Sequence, residues 1–220
     1  MSLDLSLLSS YGPQLLHGLE LTVVLWLLGS AIAVVLGFLL AIALVAGGPT
    51  AAIPIRGYIE FFRGTPLLVQ LFLAYYGGPG IGITLDAFTV GLWGLGLYGA
   101  AYFAEIFRAG LASIPVGQVE AARSFGISPW QRMRRIIMPQ MLVLVVPPST
   151  NMLIILMKDT AILSIVTVPE LTFQITGMTL ETFAFVEPFL ALALLYWALT
   201  ELTAFLGRQA EFRFGGYLRG

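Results

Sequence analysis

The chain has 220 residues, 58% of them hydrophobic and 10% charged, with a net charge of −1. An average soluble domain carries about 25% charged residues, so lipid must be the solvent for much of this surface, and the charge balance gives no footprint for nucleic acid. With no cysteine, one histidine (His17) and a single lysine, Lys158, that follows no Gly-rich phosphate loop, the chain offers no disulfide, no metal cluster and no Walker-type nucleotide site.

Asp4 and Glu20, and no basic residue, precede the first apolar run. That run, residues 21–46, is far longer than the apolar core of a secretory signal, so it reads as a retained membrane helix. Five spans are expected over about 19–47, 56–78, 88–110, 137–158 and 184–206, each near the ~20 residues a bilayer requires. The chain is therefore read as one all-α, polytopic membrane domain over residues 1–220, with a cytoplasmic loop at 112–136.

The second span carries Arg63, Gly64, Thr65, Pro66 and Gln70. A charge at that depth must face protein or a water-filled cavity. If the helix begins near Arg56, Gln70 shares a face with Arg63, and Gly64 and Pro66 loosen the backbone between them. Two readings stay open: Arg63 or the Gly64-Thr65 backbone receives a ligand carboxylate, or Arg63 pairs with Glu60 one turn away. In the third span, Gly91, Gly94, Gly96 and Gly99 permit close helix approach, and Glu105 and Arg108 can pair at its inner end.

The loop that follows is a polar island in an apolar chain, EAARSFGISPWQRMRRIIMP over 120–139. A short helix at 117–125 is expected to stop at Gly126, with Glu120 and Arg123 on one side and Ala121 and Ala122 forming a smooth surface. Ser128, Pro129 and Gln131 then have the spacing of a capping box. The helix they start bears Trp130, Met133 and Ile137 on one face and Arg132, Arg134 and Arg135 around the rest, the pattern of an interfacial helix. Pro139 is expected to break it before the fourth span.

In that span Pro147-Pro148 should kink the helix. Asn151 lies on the same stripe as Lys158. Lys158-Asp159-Thr160 close the span, and adjacent opposite charges suit the two ends of a zwitterion; the alternative is a snorkelling lysine beside a solvated aspartate. The position one heptad before Asp159 is Met152, so no second acid on this stripe selects a cationic side chain. The tyrosines, Trp93 and Trp197 read as interface anchors or lipid-facing filler.

Charge asymmetry orients the spans. With the amino terminus outside and the carboxyl terminus inside, ten of the eleven basic residues lie inside or within a helix that starts inside, Arg208, Arg213 and Arg219 in the tail among them. Asp4, Asp86, Glu170 and Glu181 then lie outside.

Glu120-Ala121-Ala122, Gly126, Ile136 and Pro139 resemble the EAA motif of bacterial ABC importer permeases, with Met138 where leucine is usual. His17 to Thr22, Tyr58 to Gln70, Ala104 to Gly110, Ile114 to Gln118 and Met157 to Ile162 are similar to signatures of the polar amino acid branch, with Ala161 where serine is common. The resemblance implies a type I ABC importer permease fold. It implies that Glu120, Ala121, Ala122, Arg123, Gly126 and Pro139 couple to an ATPase. The polar residues read above, Arg63, Gly64, Thr65, Pro66, Gln70, Asn151, Lys158, Asp159 and Thr160, are expected to take part in the substrate path of such a permease. The expected setting is a bacterial cytoplasmic membrane. The expected partners are an ABC ATPase dimer that holds the ATP, a second permease subunit, a periplasmic or extracellular amino-acid-binding protein and membrane lipid; the chain itself has no expected cofactor or catalytic residue. A stand-alone secondary transporter is the other reading, against which stand five spans without an inverted repeat. A membrane enzyme lacks clustered catalytic side chains.

Overall fold

The computed structural model describes residues 9–215, and among these every regular element is helical. Asp4 and Arg219, used above for orientation, lie outside the described residues. Helix α1, Gly12–Ala46, has proline in its first turn and ends at Gly47. At 1.5 Å per residue its 35 residues span about 52 Å, more than the hydrocarbon of a bilayer. Helix α2, Gly48–Gly64, follows at once. It stops because Pro66 disfavours helical backbone at the residue before it, and Thr65 is extended (φ −121°, ψ 141°). Helix α3, Leu67–Phe72, continues through a π turn, Leu73–Gly77, and a 3-10 turn, Gly78–Ile81.

Helix α4, Ala87–Ala112, is capped by Asp86, whose carboxylate accepts from the Thr89 N–H at 3.0 Å and the Thr89 hydroxyl at 2.6 Å. Those bonds hold the Asp86 carboxyl below its usual range. The loop forms α5, Val116–Ser124, and α6, Pro129–Arg132, and a π turn at Met133–Ile137 leads into α7, Met138–Asp159, and a 3-10 turn at Thr160–Val166. Helices α8, Leu171–Thr182, and α9, Val186–Gly215, complete the described chain.

Four helical stretches are long and apolar enough to cross a membrane: Gly12–Ala46, Ala87–Ala112, Pro129–Val166 and Val186–Phe214. The second expected span, 56–78, is not one continuous helix. The Thr65-Pro66 interruption divides it, leaving Leu67–Ile81 as a shorter apolar helix.

The break expected at Pro139 is absent as well, since helix runs from Pro129 through Val166. Proline removes a backbone donor and crowds the preceding turn. The π turn widens the helix where that crowding falls, and the Gln140 amide donates to the Ile136 carbonyl at 2.8 Å. Helix α8 is a further difference, because its sequence LTFQITGMTLET scatters threonines among apolar residues and gives no span-like run.

Helices α1 and α4 form the central pair. Small residues let them touch: Gly29 faces Leu95, Gly96 faces Ile32, Gly99 faces Ala33, and a Cβ on Gly37 would stand 2.5 Å from that of Phe103. Leu25, Leu95, Phe103, Met141 and Leu156 fill the fully buried core around this seam. Helix α9 lies mainly against α7, with α8 wedged beside α1. Where lipid tails are as apolar as the side chains, such close packing rather than water exclusion holds helices together.

Candidate functional site

Two groups of residues stand apart from the packed core: the loop helices at one end of the spans, and a charged cleft where α2, α4 and α7 converge. In the loop, α5 ends in a Schellman arrangement. The Ile127 N–H donates to the Ala122 carbonyl at 3.0 Å and the Gly126 N–H to the Arg123 carbonyl at 2.9 Å, with Gly126 at φ +70°. Ala122 is buried beneath the helix, so of the smooth surface expected from the two alanines only Ala121 is presented, with Glu120 and Arg123 exposed beside it. Glu120 and Arg123, on one side of α5 by their spacing, form no ion pair with each other; Glu105 with Arg108 and Glu201 with Arg208 do pair. The capping box of α6 is complete, with the Ser128 side chain accepting from the Gln131 N–H and the Gln131 side chain accepting from the Ser128 N–H.

The loop also presents apolar groups to its surroundings. Phe125 is 84% exposed and Trp130 69%. Phe125 was missed in the sequence; the signal for it is an aromatic beside the αL glycine of a polar loop. The loop is tethered to α7, because the Gln140 side-chain amide donates to Gln118 Oε1 on α5 at 2.7 Å.

In the cleft, Arg63 lies in the last turn of α2 and stays exposed, its guanidinium 5.3 Å from the centre of the Tyr102 ring. It does not pair with Glu60. Arg108 grips Glu105 with two nitrogens, Nε at 3.1 Å and Nη2 at 2.7 Å. Arg56, Glu60, Arg63, Glu105 and Arg108 line a recess of about 340 Å³.

Gln70 does not share a helical face with Arg63, since Thr65-Pro66 intervenes. It folds back on the end of α2 instead, donating to the Phe62 carbonyl, the Thr65 carbonyl and Thr65 Oγ1 at 2.8–3.1 Å. Gly64 is the last residue of α2, and the Thr65 hydroxyl donates to the Phe61 carbonyl. Gln70 thus secures the interruption at Pro66 rather than reaching outward.

Above Arg63 the aromatic face of α4 continues. The Tyr98 hydroxyl donates to that of Tyr102 at 3.2 Å, and Asp159 approaches within electrostatic reach of Tyr98. Asn151 and Lys158, one heptad apart on α7, are both exposed, and Asp159 beside them is half-buried. Thr160 is different: it is fully buried, donating to the Met157 carbonyl at 2.6 Å and sharing a hydrogen bond with Tyr196 at 3.1 Å. Tyr98 and Tyr102 are therefore not filler. Their i, i+4 spacing on α4, continued by Glu105 and Arg108, is a polar stripe that marks this face.

Glu170 is the other residue whose place the sequence hides. Expected as an external charge, it is buried at the start of α8. Its carboxylate accepts from the backbone N–H groups of Thr172 and Phe173, both at 2.9 Å, from the Tyr196 hydroxyl at 3.2 Å and from the Thr22 hydroxyl at 3.4 Å. Burial pushes its pKa up to about 7 against those donors.

Residues 33–215 match a family model described as binding-protein-dependent transport system inner membrane component. The chain is 35% identical over 206 residues to a probable amino-acid ABC transporter permease protein, YckA, of Bacillus subtilis, covering 94% of this chain and 91% of that one. It is 36% identical over 219 residues to the L-cystine transport system permease protein TcyL of the same organism, covering 96% and 91%. In solved structures, a chain from an amino acid ABC transporter superposes with a TM-score of 0.88 at 35% identity, over 97% of this chain and 100% of the other. A chain of the MetNI methionine ABC transporter superposes at 0.73 and 20% identity, over 96% and 99%, which speaks for the fold alone.

Proposed function

The chain belongs to the family of binding-protein-dependent transport system inner membrane components, an ABC importer permease, and we propose that it is the half-channel of an amino acid importer driven by a separate ATPase. The observation that carries this reading is the exposed surface of α5, where Glu120, Ala121, Arg123 and Phe125 stand free around a glycine-terminated helix tied to a membrane helix. The names of the similar permeases support amino acids as the cargo.

The geometry supports one mechanism. ATP binding to the partner supplies differential affinity for two arrangements of the permease. A shift of α5 acts on α7 through Gln118 and Gln140, and α7 carries Lys158 and Asp159 at its far end, about 28 Å from Gln140 at 1.5 Å per residue. Glu120, Ala121, Arg123 and Gly126 form the docking surface, backed by the buried Ala122, and Pro139 sets the π turn between that surface and α7. Asn151, Lys158 and Asp159 meet the cargo on one side of the path and Arg63 on the other, with Gly64, Thr65, Pro66 and Gln70 holding the interruption that presents Arg63. Thr160 anchors the end of α7.

A second permease subunit, identical or related, completes the path, and a binding protein delivers the cargo on the side opposite the arginine-rich loop. The bias of basic residues toward that loop supports an outer amino terminus in a bacterial inner membrane. The test is reconstitution in vesicles with the cognate ATPase and binding protein and a panel of radiolabelled amino acids. Uptake that requires ATP and both partners is expected; uptake by the chain alone under an ion gradient would overturn the reading in favour of a secondary transporter.

A further inference from the structure

We propose that the trough between the ends of α1 and α4 and the loop helices is a binding site for one anionic phospholipid of the adjoining leaflet. The trough is a groove of about 380 Å³. Its walls are apolar: Ile42 and Val45 come from the last turns of α1, Leu111 from the last turn of α4, Val119 from α5, and Met133 and Ile137 from the π turn. Two cations line the same groove, Arg123 and Arg132, and no carboxylate does. Neither arginine forms an ion pair among the described residues.

The occupant that complements this surface joins a negative headgroup to an apolar tail. The apolar wall does not end at the groove. Val35 and Leu39 are 60% and 57% exposed on α1, and with Ile42 and Val45 they follow helical spacing along one side of the helix. A tail lying in the groove therefore has a continuous track along a spanning helix. The tail gives no selectivity, because leaving the bilayer interior for an equally apolar wall gains nothing from water exclusion. Selectivity rests on the guanidinium groups, which suit phosphate geometry and attract anionic headgroups near a membrane surface. Arg134 and Arg135, exposed on the neighbouring turn, lie outside the groove and add only to the general field.

The full-length chain in phosphatidylcholine vesicles, with a trace of spin-labelled phosphatidylglycerol or phosphatidylcholine, tests this by electron spin resonance. The motionally restricted signal should favour phosphatidylglycerol at least threefold. The pair Arg123→Gln with Arg132→Gln should abolish most of that preference, and Val119→Trp, which fills the groove and keeps both charges, should do likewise. The pair Arg134→Gln with Arg135→Gln removes the same charge outside the groove and should keep most of it; far-ultraviolet circular dichroism confirms that each variant is folded. Equal affinity for the two lipids overturns the proposal. So does a preference that survives in the groove variants, which belongs to the general basic field. Loss of the restricted lipid when the ATPase subunit is added would assign the groove to that protein and overturn it too. A failed uptake assay would leave these lipid results unaffected.

Discussion

The Gln140 side-chain amide donates to Gln118 Oε1 at 2.7 Å, and the same nitrogen donates to the Ile136 carbonyl at 2.8 Å. One side chain thus closes the π turn of the helix entering the membrane and fastens the loop helix to it. A neutral hydrogen bond of this kind contributes about 0.5–1.5 kcal/mol. In the proposed coupling its role is directional rather than stabilising, because it connects the exposed loop helix with the helix that carries Asp159. Gln118→Ala should leave membrane insertion and ATPase association within about twofold while lowering uptake per ATP hydrolysed. Parallel assays of hydrolysis and uptake in the same vesicles check this; an unchanged ratio would remove the bond from the coupling route.

Gly126 has φ +70°, and a Cβ there would meet no atom within 4 Å. The constraint is therefore backbone strain and not a clash. A β-branched side chain in this conformation costs roughly 1–2 kcal/mol, whereas asparagine tolerates it. Gly126→Val should fray the end of α5, weaken ATPase co-purification and lower uptake with insertion intact, and Gly126→Asn should retain most of both. Equal behaviour of the two variants would show that backbone conformation is not what the position supplies.

Phe125 adjoins that glycine at 84% exposure. A ring that size facing water in a polar loop has little to do for the isolated subunit, and buried aromatic anchors dominate many interfaces. Phe125→Ala should weaken ATPase binding by about 1–2 kcal/mol, roughly five- to thirtyfold in Kd. Titration of detergent-solubilised permease with ATPase measures this, and an unchanged Kd would place the ring outside the contact.

The glycine stop and the capping box of the loop were legible because they are local, whereas Phe125 and the Gln118–Gln140 tie were not read. Capping, a glycine stop and helical spacing act within a few residues, and the Ser128–Gln131 box formed as its spacing required. Long uncharged runs made α1 and α4 legible in the same way. The cleft was not, since its logic is tertiary. Arg63 finds Tyr102 on another helix, and Gln70 turns back because a single X-Pro junction ends α2 at Thr65. Glu170 was misread for the same reason: its Thr22 partner lies 148 residues earlier, and only burial distinguishes a capping acid from a solvated one.

The seam between α1 and α4 gives a prediction about stability. A Cβ on Gly37 would overlap Phe103 Cβ and crowd the Ala100 carbonyl and Ala104 nitrogen, atoms that cannot rotate away. Overpacking of this kind costs typically about 1–3 kcal/mol. Gly37→Leu should lower the Tm in detergent by several degrees and reduce the yield of folded protein. Gly57→Ala, at a position where a Cβ meets nothing within 4 Å, should change little. Equal melting temperatures would mean the helices are free to separate at this level.

Glu170 supplies the pH dependence. Its pKa is pushed to about 7 by burial, against an ordinary value of 4.5, so the folded state favours the protonated acid. The stabilisation is present in full below about pH 4.5 and is lost as pH rises through 7, because the charged form must be held without water in the fold but not in the unfolded chain. At 1.36 kcal/mol per unit the window is worth on the order of 3 kcal/mol. Tm in detergent should fall between pH 5 and pH 8. Glu170→Gln remains neutral throughout and keeps an acceptor for the start of α8, so its curve should be flatter over the same range. A wild-type Tm that rises toward pH 8 would mean the four donors around the carboxylate outweigh its burial and hold the ionised form instead.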